Sequence, residues 1–353
     1  MKILHIAPQN FAGIPFDFVK MHRKNGIESH LITLYKNTLN FEEDICLNLP
    51  LKTGKIANKW RNSKINTAGN IELRYCKPKN ISEQIYFKLR DFKNKDVIEK
   101  FIEEFNLINY DIYHFDGGMD LFRDVRFARQ LKEMGKKIIC CYFGSDLRSR
   151  GVFRELDKIS DLNITVEFDH KSIHPDIHYI YFPFDTESYK FKINKNKILR
   201  IIHSPTNRLF KGTNKIISII EDLKKEIKIN FILAEKMDRS KVLELKSQCD
   251  LAIDQVGGLF GGTGYGKNSI ENLSMGIPTI TEFTEEYLKF IDDNPFIHSN
   301  IDSLKDTIIN LHNNREILGD LAFKGREWVE KTHSFSAVNQ KLNELYLKNE
   351  ILL

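Results

Sequence analysis

Short apolar runs alternate with stretches of helical spacing along this chain, a pattern that predicts strands and helices in turn. The first apolar run is Ile3–Ala7. From about Pro15 to Lys24, apolar and basic side chains fall on different faces, which indicates a helix that ends at Asn25-Gly26. After a less regular stretch, a helix is predicted over Met119–Met134. Further strands are predicted at Ser29–Leu34, Asp111–Phe115, Lys137–Phe143 and Asn163–Val166. This alternation is typical of a parallel sheet with helices on both faces.

A second alternating series follows a polar, lysine-rich connector at about residues 181–197. Its strands are predicted at Leu199–His203, Ile229–Leu233, Leu251–Asp254 and Pro278–Thr281, and its helices at Thr213–Lys225 and Asp238–Ser247. The segment from Ile301 onward is predicted to be helical. We therefore predict an α/β protein of two Rossmann-like, doubly wound domains facing a cleft, residues 1–183 and 184–334, with a helix at about 335–353 that packs back on the first. A ligand is expected outside the carboxyl ends of the strands.

The composition fits this two-domain arrangement. The chain has 353 residues, of which 41% are hydrophobic and 29% charged, as in globular proteins. Its five cysteines are scattered and include no C-x-x-C pair, which is typical of free thiols in a reducing compartment. The N-terminal apolar run is too short for a signal peptide, and no run reaches the length of a transmembrane helix. We therefore expect a cytoplasmic protein.

Positive charge is concentrated between residues 51 and 100. This segment contains thirteen Lys or Arg against five Asp or Glu, with aromatic residues between them, in a chain of net charge +5. One interpretation is a surface that contacts anionic lipid headgroups at the inner face of a membrane. The other is an ordinary solvated face of a lysine-rich protein. Nucleic acid binding is disfavoured because no nucleic-acid motif accompanies the charge.

The densest motif in the sequence runs from Gly261 to Pro278, GGTGYGKNSIENLSMGIP. Glycines allow backbone N–H groups to approach a ligand closely, and the start of a following helix offers further N–H groups and a positive dipole end to an anion. Glu271 lies on that helix, where its carboxylate can accept hydrogen bonds from sugar hydroxyls. The pattern favours a site for a phosphate and a sugar. The alternative is a flexible glycine loop between a strand and a helix.

A basic motif opens the second domain. Arg208, Lys211 and Gly212 follow the strand that ends at His203 and precede a predicted helix. A guanidinium and an ammonium three residues apart can hold a diphosphate and stabilise the charge that develops on it as it leaves. A solvated basic turn is the alternative, but the glycine loop in the same series of strands and helices favours the diphosphate site.

Together these motifs resemble the donor site of retaining GT-B glycosyltransferases of the glycogen-synthase and mannosyltransferase type (glycosyl transferases group 1). The resemblance implies that Arg208 and Lys211 contact the donor diphosphate and that Glu271 binds the donor ribose. It also implies a donor-binding loop made of Thr263, Gly264, Tyr265, Gly266, Lys267 and Asn268. That family usually has a further Glu, eight residues before the ribose-binding one, that contacts the transferred sugar. This chain has Thr263 there.

The N-terminal half resembles the same family less closely. The loop around Gly13 resembles a glycine loop near the donor phosphates, and Phe143-Gly144-Ser145-Asp146 resembles a strand exit in which His usually stands in place of Phe. Asp146 is a candidate to bind acceptor hydroxyls, or else it pairs with Arg148 in a turn. His114, predicted at the end of a strand, either contacts the acceptor or donor sugar or caps a loop. A Rossmann dehydrogenase is disfavoured because no G-x-G-x-x-G follows the first strand.

No metal site is predicted. His170, His174 and His178 are four residues apart, but Pro175 interrupts any helix that would align them. The chain contains no Asp-x-Asp, the motif with which metal-dependent glycosyltransferases hold a divalent cation on the diphosphate. The basic motif and the helix N-terminus are expected to stabilise the diphosphate without a metal.

The sequence thus predicts a metal-independent glycosyltransferase, a hexosyltransferase that moves a sugar from a nucleoside diphosphate-sugar to an acceptor hydroxyl. Retention of configuration is implied by the resemblance, and no separate cofactor is expected. The acceptor would be a cell-surface glycan or a lipid-linked glycan bound mainly by the first domain, which implies a role in polysaccharide or glycolipid biosynthesis. Two alternatives stay open: a non-catalytic nucleotide- or glycan-binding protein on the same scaffold, and a nucleotide-sugar epimerase.

Overall fold

Two parallel sheets organise the chain, one in each of two compact units. The computed structural model describes residues 1–37, 41–50, 54, 73–78, 80–258, 264–291 and 293–352. Unit 1 comprises Met1–Pro183 and Phe335–Leu353, and unit 2 comprises Phe184–Ser334. Each sheet has helices in the connections between its strands, so the fold is α/β.

Seven strands of the described residues form the sheet of unit 1. They are β1 (Lys2–Ala7), β2 (Glu28–Thr33), β3 (Ile45–Cys46), β4 (Ile112–Asp116), β5 (Lys137–Tyr142), β6 (Leu162–Thr165) and β7 (Ile177–Tyr179). Their spatial order is β3-β2-β1-β4-β5-β6-β7, so the strand order reverses between β1 and β4. Such a reversal is the topological switch point at which doubly wound sheets bind ligands.

The helices of unit 1 lie in the connections between these strands. They are α1 (Ile14–Lys24), α2 (Ile81–Glu104), α3 (Arg126–Glu133), α4 (Arg154–Ile159) and α5 (His170–Ile173). Helix α2 falls in the stretch where the sequence pattern was least regular. Its buried face carries two polar residues, Asp91 and Asn94, beside Ile98, so the helix lacks a clear apolar stripe toward the core.

The helix predicted over Met119–Met134 is about half as long in the structure. Helix α3 begins only at Arg126, because the buried carboxylate of Asp120 organises a turn before it. That carboxylate accepts the backbone N–H of Leu121 at 2.6 Å and of Ala128 at 3.1 Å. Val125 lies in the left-handed region with φ 62°, which a continuous helix does not allow. The prediction of a longer helix was therefore wrong at its N-terminal end.

Five strands of the described residues form the sheet of unit 2. They are β8 (Leu199–His203), β9 (Ile229–Leu233), β10 (Leu251–Ile253), β11 (Thr279–Thr281) and β12 (Ile297–His298). The spatial order is β12-β11-β10-β8-β9, so the reversal in this sheet lies between β8 and β10. The inner strands are buried on both faces, which explains why they read as continuous apolar runs.

Eight further α-helices lie in the described part of the chain. Those of unit 2 are α6 (Arg208–Lys211), α7 (Thr213–Leu223), α8 (Arg239–Lys246), α9 (Lys267–Ser274), α10 (Glu285–Phe290), α11 (Leu304–Asn313) and α12 (Ile317–Thr332). The last helix, α13 (Phe335–Lys348), belongs to unit 1, where Tyr346 is fully buried against His114 of β4.

The turn after β4 provides a test of how tightly this fold is packed. A Cβ at Gly118, which has φ +56°, would lie 2.4 Å from the ring of the buried Tyr142. At Gly135, φ is +74° and no atom lies within 4 Å of the position of a Cβ. We expect Gly135→Ala to lower the free energy of unfolding by about 1 kcal/mol through backbone strain alone. Gly118→Ala should lower it by a further ~1–3 kcal/mol, because overpacking adds to the strain. Urea unfolding of both variants checks this, and equal losses would contradict the predicted clash.

Candidate functional site

The loops after β8 and β10 meet at the switch point of unit 2. The two strands are adjacent and in register, with Ile253 opposite His203. A single turn of helix, α6, follows β8, and the Asn207 side chain begins it by accepting the backbone N–H of Leu209 at 3.0 Å and of Phe210 at 3.2 Å. The sequence therefore folds the basic motif into a short capped helix at the carboxyl edge of the sheet.

Glycine allows these two loops to touch. Gly212, with φ +67°, directly follows α6, and a Cβ there would lie 1.8 Å from the carbonyl oxygen of Val256. A Cβ at Gly258 would likewise lie 2.0 Å from the carbonyl oxygen of Phe210. Both loops are thus fixed by backbone contacts that only glycine permits.

Arg208 lies on the exposed side of this edge. Its guanidinium donates hydrogen bonds to Glu235 at 2.6 and 2.8 Å and to Asn214 at 3.0 Å. The Arg208 side chain is 46% exposed, and exposed ion pairs of this kind are weak. The guanidinium can therefore exchange the Glu235 carboxylate for the phosphate of a ligand.

Lys211 is held more firmly, by a buried carboxylate. Its Nζ lies 2.7 Å from Oδ1 of Asp254, which directly follows β10 and is only 1% exposed. Asn268 donates to the same oxygen at 3.0 Å, and Ser269 donates to the other oxygen. Burial by itself would raise the pKa of Asp254, but the Lys211 ammonium and these hydrogen bonds together lower it. The carboxylate stays charged and links Lys211 to the first turn of α9.

Glu271 lies deeper in the same unit than the sequence suggests. It is 5% exposed, and its two oxygens accept from Arg239 at 2.6 Å and from the fully buried Lys246 at 2.9 Å. Burial by itself would raise its pKa, yet the two cations lower it. Each oxygen retains a second lone pair. The ribose contact stays a prediction, and the structure adds a buried ion pair that the sequence did not indicate.

In the loop before α9, some residues pack against aromatic side chains and others do not. Gly264 has φ +100°, and a Cβ there would lie 2.0 Å from the ring of Tyr287, so this glycine serves packing. The Tyr265 ring stacks on Phe296 with centroids 4.9 Å apart, and its hydroxyl lies 2.9 Å from Nε2 of His333. Gly266 has no atom of the described residues within 4 Å of the position of a Cβ, and it precedes α9 in extended backbone. The predicted loop residue Thr263 lies outside the described residues.

The first turn of α9 is the part of this loop best suited to an anion. Lys267 and Asn268 are its first two residues, and both are half-buried. The backbone N–H groups of a first turn have no partner within their own helix and point along the helix axis. Because Asn268 and Lys211 share one oxygen of Asp254, an ammonium group stands beside this helix N-terminus.

In unit 1 the switch point lies between β1 and β4. Gly13, with φ +74°, precedes α1, and the Asn10 side chain accepts the N–H of Phe16 in the first turn at 3.3 Å. Asp146, in the loop after β5, accepts the backbone N–H groups of Phe143, Gly144 and Leu147, each at 2.8 Å. Asp146 thus fastens its own loop, and acceptor binding by this carboxylate stays a prediction.

Two expectations for unit 1 need correction. Arg148 does not pair with Asp146 but with Glu167 and Asp169. His114 does not lie at the end of its strand: it is two residues before the end of β4, is fully buried, and has Nε2 2.5 Å from the hydroxyl of Tyr346. Burial, with His5 and His22 nearby, lowers its pKa well below the ordinary value. A residue in the sheet interior does not reach a sugar at the strand end.

Two of the histidines weighed as metal ligands in the sequence have different hydrogen-bond partners in unit 1. His170 lies 2.7 Å from the Thr165 hydroxyl and 3.1 Å from the carbonyl oxygen of Gly144. His174 lies 2.9 Å from the carboxylate of Asp157. These hydrogen bonds give both residues a structural role at the end of β6 and beside α4.

Sequence reasoning missed three polar residues of the unit 2 network. The sequence pattern predicts Asp254 only as the last residue of a strand, although a carboxylate just after an apolar strand at a switch point is a recognisable signal. Glu282, just after β11, accepts the N–H of Gly257 at 2.6 Å. Lys246 lies on α8 among other charged residues, and no local pattern distinguishes it from a solvated lysine.

Comparison with known proteins identifies the fold. No protein-family model matches this sequence, and no curated protein matches it. HepE of Anabaena, solved in complex with UDP-glucose, aligns with a TM-score of 0.59 at 11% identity over 99% of this chain and 100% of that chain. Sucrose-phosphate synthase of Thermosynechococcus elongatus aligns with a TM-score of 0.58 at 11% identity, over 99% and 98% of the two chains. The protein has the GT-B fold of glycosyltransferases.

The GT-B scaffold is shared by one of the alternatives. A putative UDP-N-acetylglucosamine 2-epimerase of Listeria monocytogenes aligns with a TM-score of 0.51 at 12% identity, over 100% of this chain and 97% of that chain. At these identities the likeness concerns the fold, which confirms the predicted pair of Rossmann-like sheets.

The buried ion pair between Lys246 and Glu271 in unit 2 leads to a prediction about stability. We expect Lys246→Met to lower the free energy of unfolding by about 3 kcal/mol, because Glu271 then loses one of its two cations in a dry interior. The double variant Lys246→Met/Glu271→Gln should recover part of that loss, since no unpaired charge stays buried. Lys241→Met, which breaks an exposed pair with Glu244 on the same helix, is the matched control and should change stability by less than about 0.5 kcal/mol. Denaturant unfolding measures all three, and a harmless Lys246→Met would contradict the importance of the pair.

Proposed function

We propose that this protein is a glycosyltransferase that moves a sugar from a nucleoside diphosphate-sugar to an acceptor hydroxyl, without a metal ion and with retention of configuration. The observation that carries the proposal is the shared Asp254 carboxylate, which places the Lys211 ammonium beside the first turn of α9 at the switch point of unit 2. The GT-B fold supports it, because this edge of such a sheet is where nucleotides bind.

The donor diphosphate would be held by three kinds of positive group. Arg208 would form a two-pronged hydrogen bond after leaving Glu235, Lys211 would supply a point charge, and α9 would supply backbone N–H groups. All three favour the diphosphate more as the bond to the sugar breaks and negative charge builds on the leaving oxygen. No divalent cation is needed for this stabilisation. Glu271 would accept hydrogen bonds from the donor ribose through its remaining lone pairs.

Uracil is the base that we propose for the donor nucleotide. The HepE structure contains UDP-glucose, and its fold matches this chain over nearly the whole length. The donor would therefore be a UDP-sugar, bound mainly by unit 2. The acceptor, a cell-surface or lipid-linked glycan, would be bound mainly by unit 1, where Gly13 and Asp146 lie beside the switch point of the sheet.

Contact with a membrane surface is supported by helix α2. Four apolar residues recur at i, i+4, i+8 and i+11 on its exposed side: Ile81 (74% exposed), Ile85 (52%), Leu89 (62%) and Phe92 (78%). Lys88 and Lys93 are within one turn of this stripe. A helix with an apolar stripe and flanking lysines can lie in the headgroup region of an anionic bilayer. Of the basic segment, residues 51–53, 55–72 and 79 lie outside the described part.

The membrane contact would be peripheral. Within the described residues, no helix combines the length and the apolar composition that crossing a bilayer requires. An enzyme that extends a lipid-linked acceptor would be brought to its substrate by such a surface contact at the inner face of the membrane.

Calorimetric titration with UDP, GDP and ADP, without metal, tests the donor site. We expect UDP to bind and Arg208→Ala to weaken UDP binding about tenfold or more, because a hydrogen bond from a charged group to phosphate contributes ~1.5–3 kcal/mol. Uridine, which has no phosphate, should bind both forms equally. Lys224→Ala, an exposed lysine on the surface of unit 2, is the control and should leave UDP binding unchanged.

Product analysis with UDP-sugars then separates the candidate functions. Sugar transfer to an added glycan or lipid acceptor supports the glycosyltransferase. Conversion of the donor to its epimer without acceptor would support the nucleotide-sugar epimerase. Tight UDP binding with neither product would support the non-catalytic binding protein, whereas absence of binding to all three diphosphates would contradict the proposed donor site.

Vesicle sedimentation tests the membrane contact. We expect Leu89→Ser/Phe92→Ser to reduce binding to vesicles containing phosphatidylglycerol several-fold, because two exposed apolar side chains would no longer enter the bilayer. Phe323→Ser, which removes a 60% exposed phenylalanine from unit 2, is the matched control and should leave binding unchanged. Equal binding of all forms to anionic and neutral vesicles would contradict the contact.

A further inference from the structure

Three histidines meet in the interior of unit 1, although they are far apart in the sequence. His5 on β1 lies opposite His114 on β4, and His22 projects from α1 toward both. The ring centroids of His5 and His114 are 4.3 Å apart, and that of His22 is 5.4 and 6.0 Å from the other two. Their exposed fractions are 0%, 1% and 0% for His5, His22 and His114.

Most of the ring nitrogens in this cluster have no hydrogen-bond partner among the described residues. They are Nε2 of His5, Nδ1 of His114, and both Nδ1 and Nε2 of His22. Burying a polar group without a partner costs on the order of 1–3 kcal/mol, and native proteins rarely bury several together. Four unpaired nitrogens in one place therefore point to a bound species that the described residues do not supply.

The remaining nitrogens have the partners that metal-binding histidines usually have. Nδ1 of His5 lies 2.9 Å from the buried carboxylate of Asp116, and Nε2 of His114 lies 2.5 Å from the hydroxyl of Tyr346. When a carboxylate or hydroxyl accepts the N–H on one side of an imidazole, the lone pair lies on the other nitrogen. With the N–H of each ring directed at Asp116 or Tyr346, the lone pairs would lie on Nε2 of His5 and Nδ1 of His114.

We propose that His5, His22 and His114 bind a divalent transition metal ion of the Zn²⁺ type. One ring nitrogen of each residue lies within 4.8 Å of those of the other two. Zn²⁺ accepts three imidazole nitrogens at about 2.0–2.1 Å and completes a tetrahedron with a fourth ligand. Small rotations of the three rings toward a common centre bring the nitrogens to that spacing, and a water molecule would take the fourth position.

The ion would be structural. Its ligands come from β1, β4 and α1, and Tyr346 couples α13 to the same cluster. One ion would fasten the first helix and the C-terminal helix to the centre of the sheet. The site belongs to unit 1 and is independent of the diphosphate-binding residues of unit 2, so it does not add a metal to sugar transfer.

Metal content and thermal stability test the proposal directly. Protein without a histidine tag is treated with EDTA, desalted, incubated with ZnCl₂ and desalted again. We expect about one Zn²⁺ per chain by mass spectrometry and a melting temperature that rises with added Zn²⁺, because an ion that binds only the folded state stabilises it. CoCl₂ in place of ZnCl₂ should produce the visible absorption of tetrahedral Co²⁺. Wild-type protein that retains no Zn²⁺ and shows no shift would overturn the proposal.

His22→Phe is the decisive variant. The ring nitrogens of His22 make no hydrogen bond within the described structure, so a phenyl ring of similar size should leave the metal-free melting temperature unchanged or higher. Retained Zn²⁺ and the shift with Zn²⁺ should both be lost. Zn²⁺ retained by His22→Phe would overturn the assignment of this residue. His312→Ala, which removes a histidine of unit 2 that does not belong to the cluster, is the control and should retain one ion per chain. If His22→Phe does not fold, the wild-type metal content and the cobalt spectrum still decide the question.

Discussion

A hydrogen-bonded network of paired charges and one amide side chain in unit 2 determines where the candidate donor site lies. It runs from Lys211 through Asp254 and Asn268 to Lys246 and Glu271, with each link a hydrogen bond of 2.7 to 3.0 Å. Every charge in it is paired, and the loss of one partner would leave another charge uncompensated in a dry interior. This network therefore fixes the loop after β8, the end of β10, α8 and α9 in one arrangement. A diphosphate would meet positive groups that are already in place, which is the condition for strong electrostatic stabilisation.

Glycine has two different functions at this edge of the sheet. Gly212 and Gly264 are required by packing, since a Cβ on either would collide with a carbonyl oxygen or an aromatic ring. Gly266, by contrast, has no atom of the described residues within 4 Å of the position of a Cβ and directly precedes the helix N-terminus. The first kind of glycine holds the loops in position, and the second would let the proposed donor approach the backbone.

Unit 1 uses its polar residues differently. Asp146, which the sequence suggested as an acceptor-binding carboxylate, saturates three backbone N–H groups of its own loop. His114 faces the sheet interior together with His5 and His22 rather than the strand ends. Helix α13, the last of the described helices, closes over this interior through Tyr346. The centre of unit 1 is therefore unusually polar for a parallel sheet, and the C-terminal segment belongs to the core of the unit.

By itself the sequence determined the alternation of strands and helices, two strands of unit 2 residue for residue, and the position of the basic and glycine motifs. Strands β8 and β9 match their predictions because apolar runs and turn residues are local signals. The sequence pattern missed the late start of α3. The Asp120 carboxylate accepts the backbone N–H of Ala128 across a turn, and the periodicity of side chains does not indicate such a contact. Only the tertiary structure decided that Lys246 neutralises Glu271, that Asp254 links Lys211 to α9, and that three histidines meet. Those pairings join residues distant in the chain, and the strand order of the sheets, not the local pattern of side chains, brings them within bonding distance.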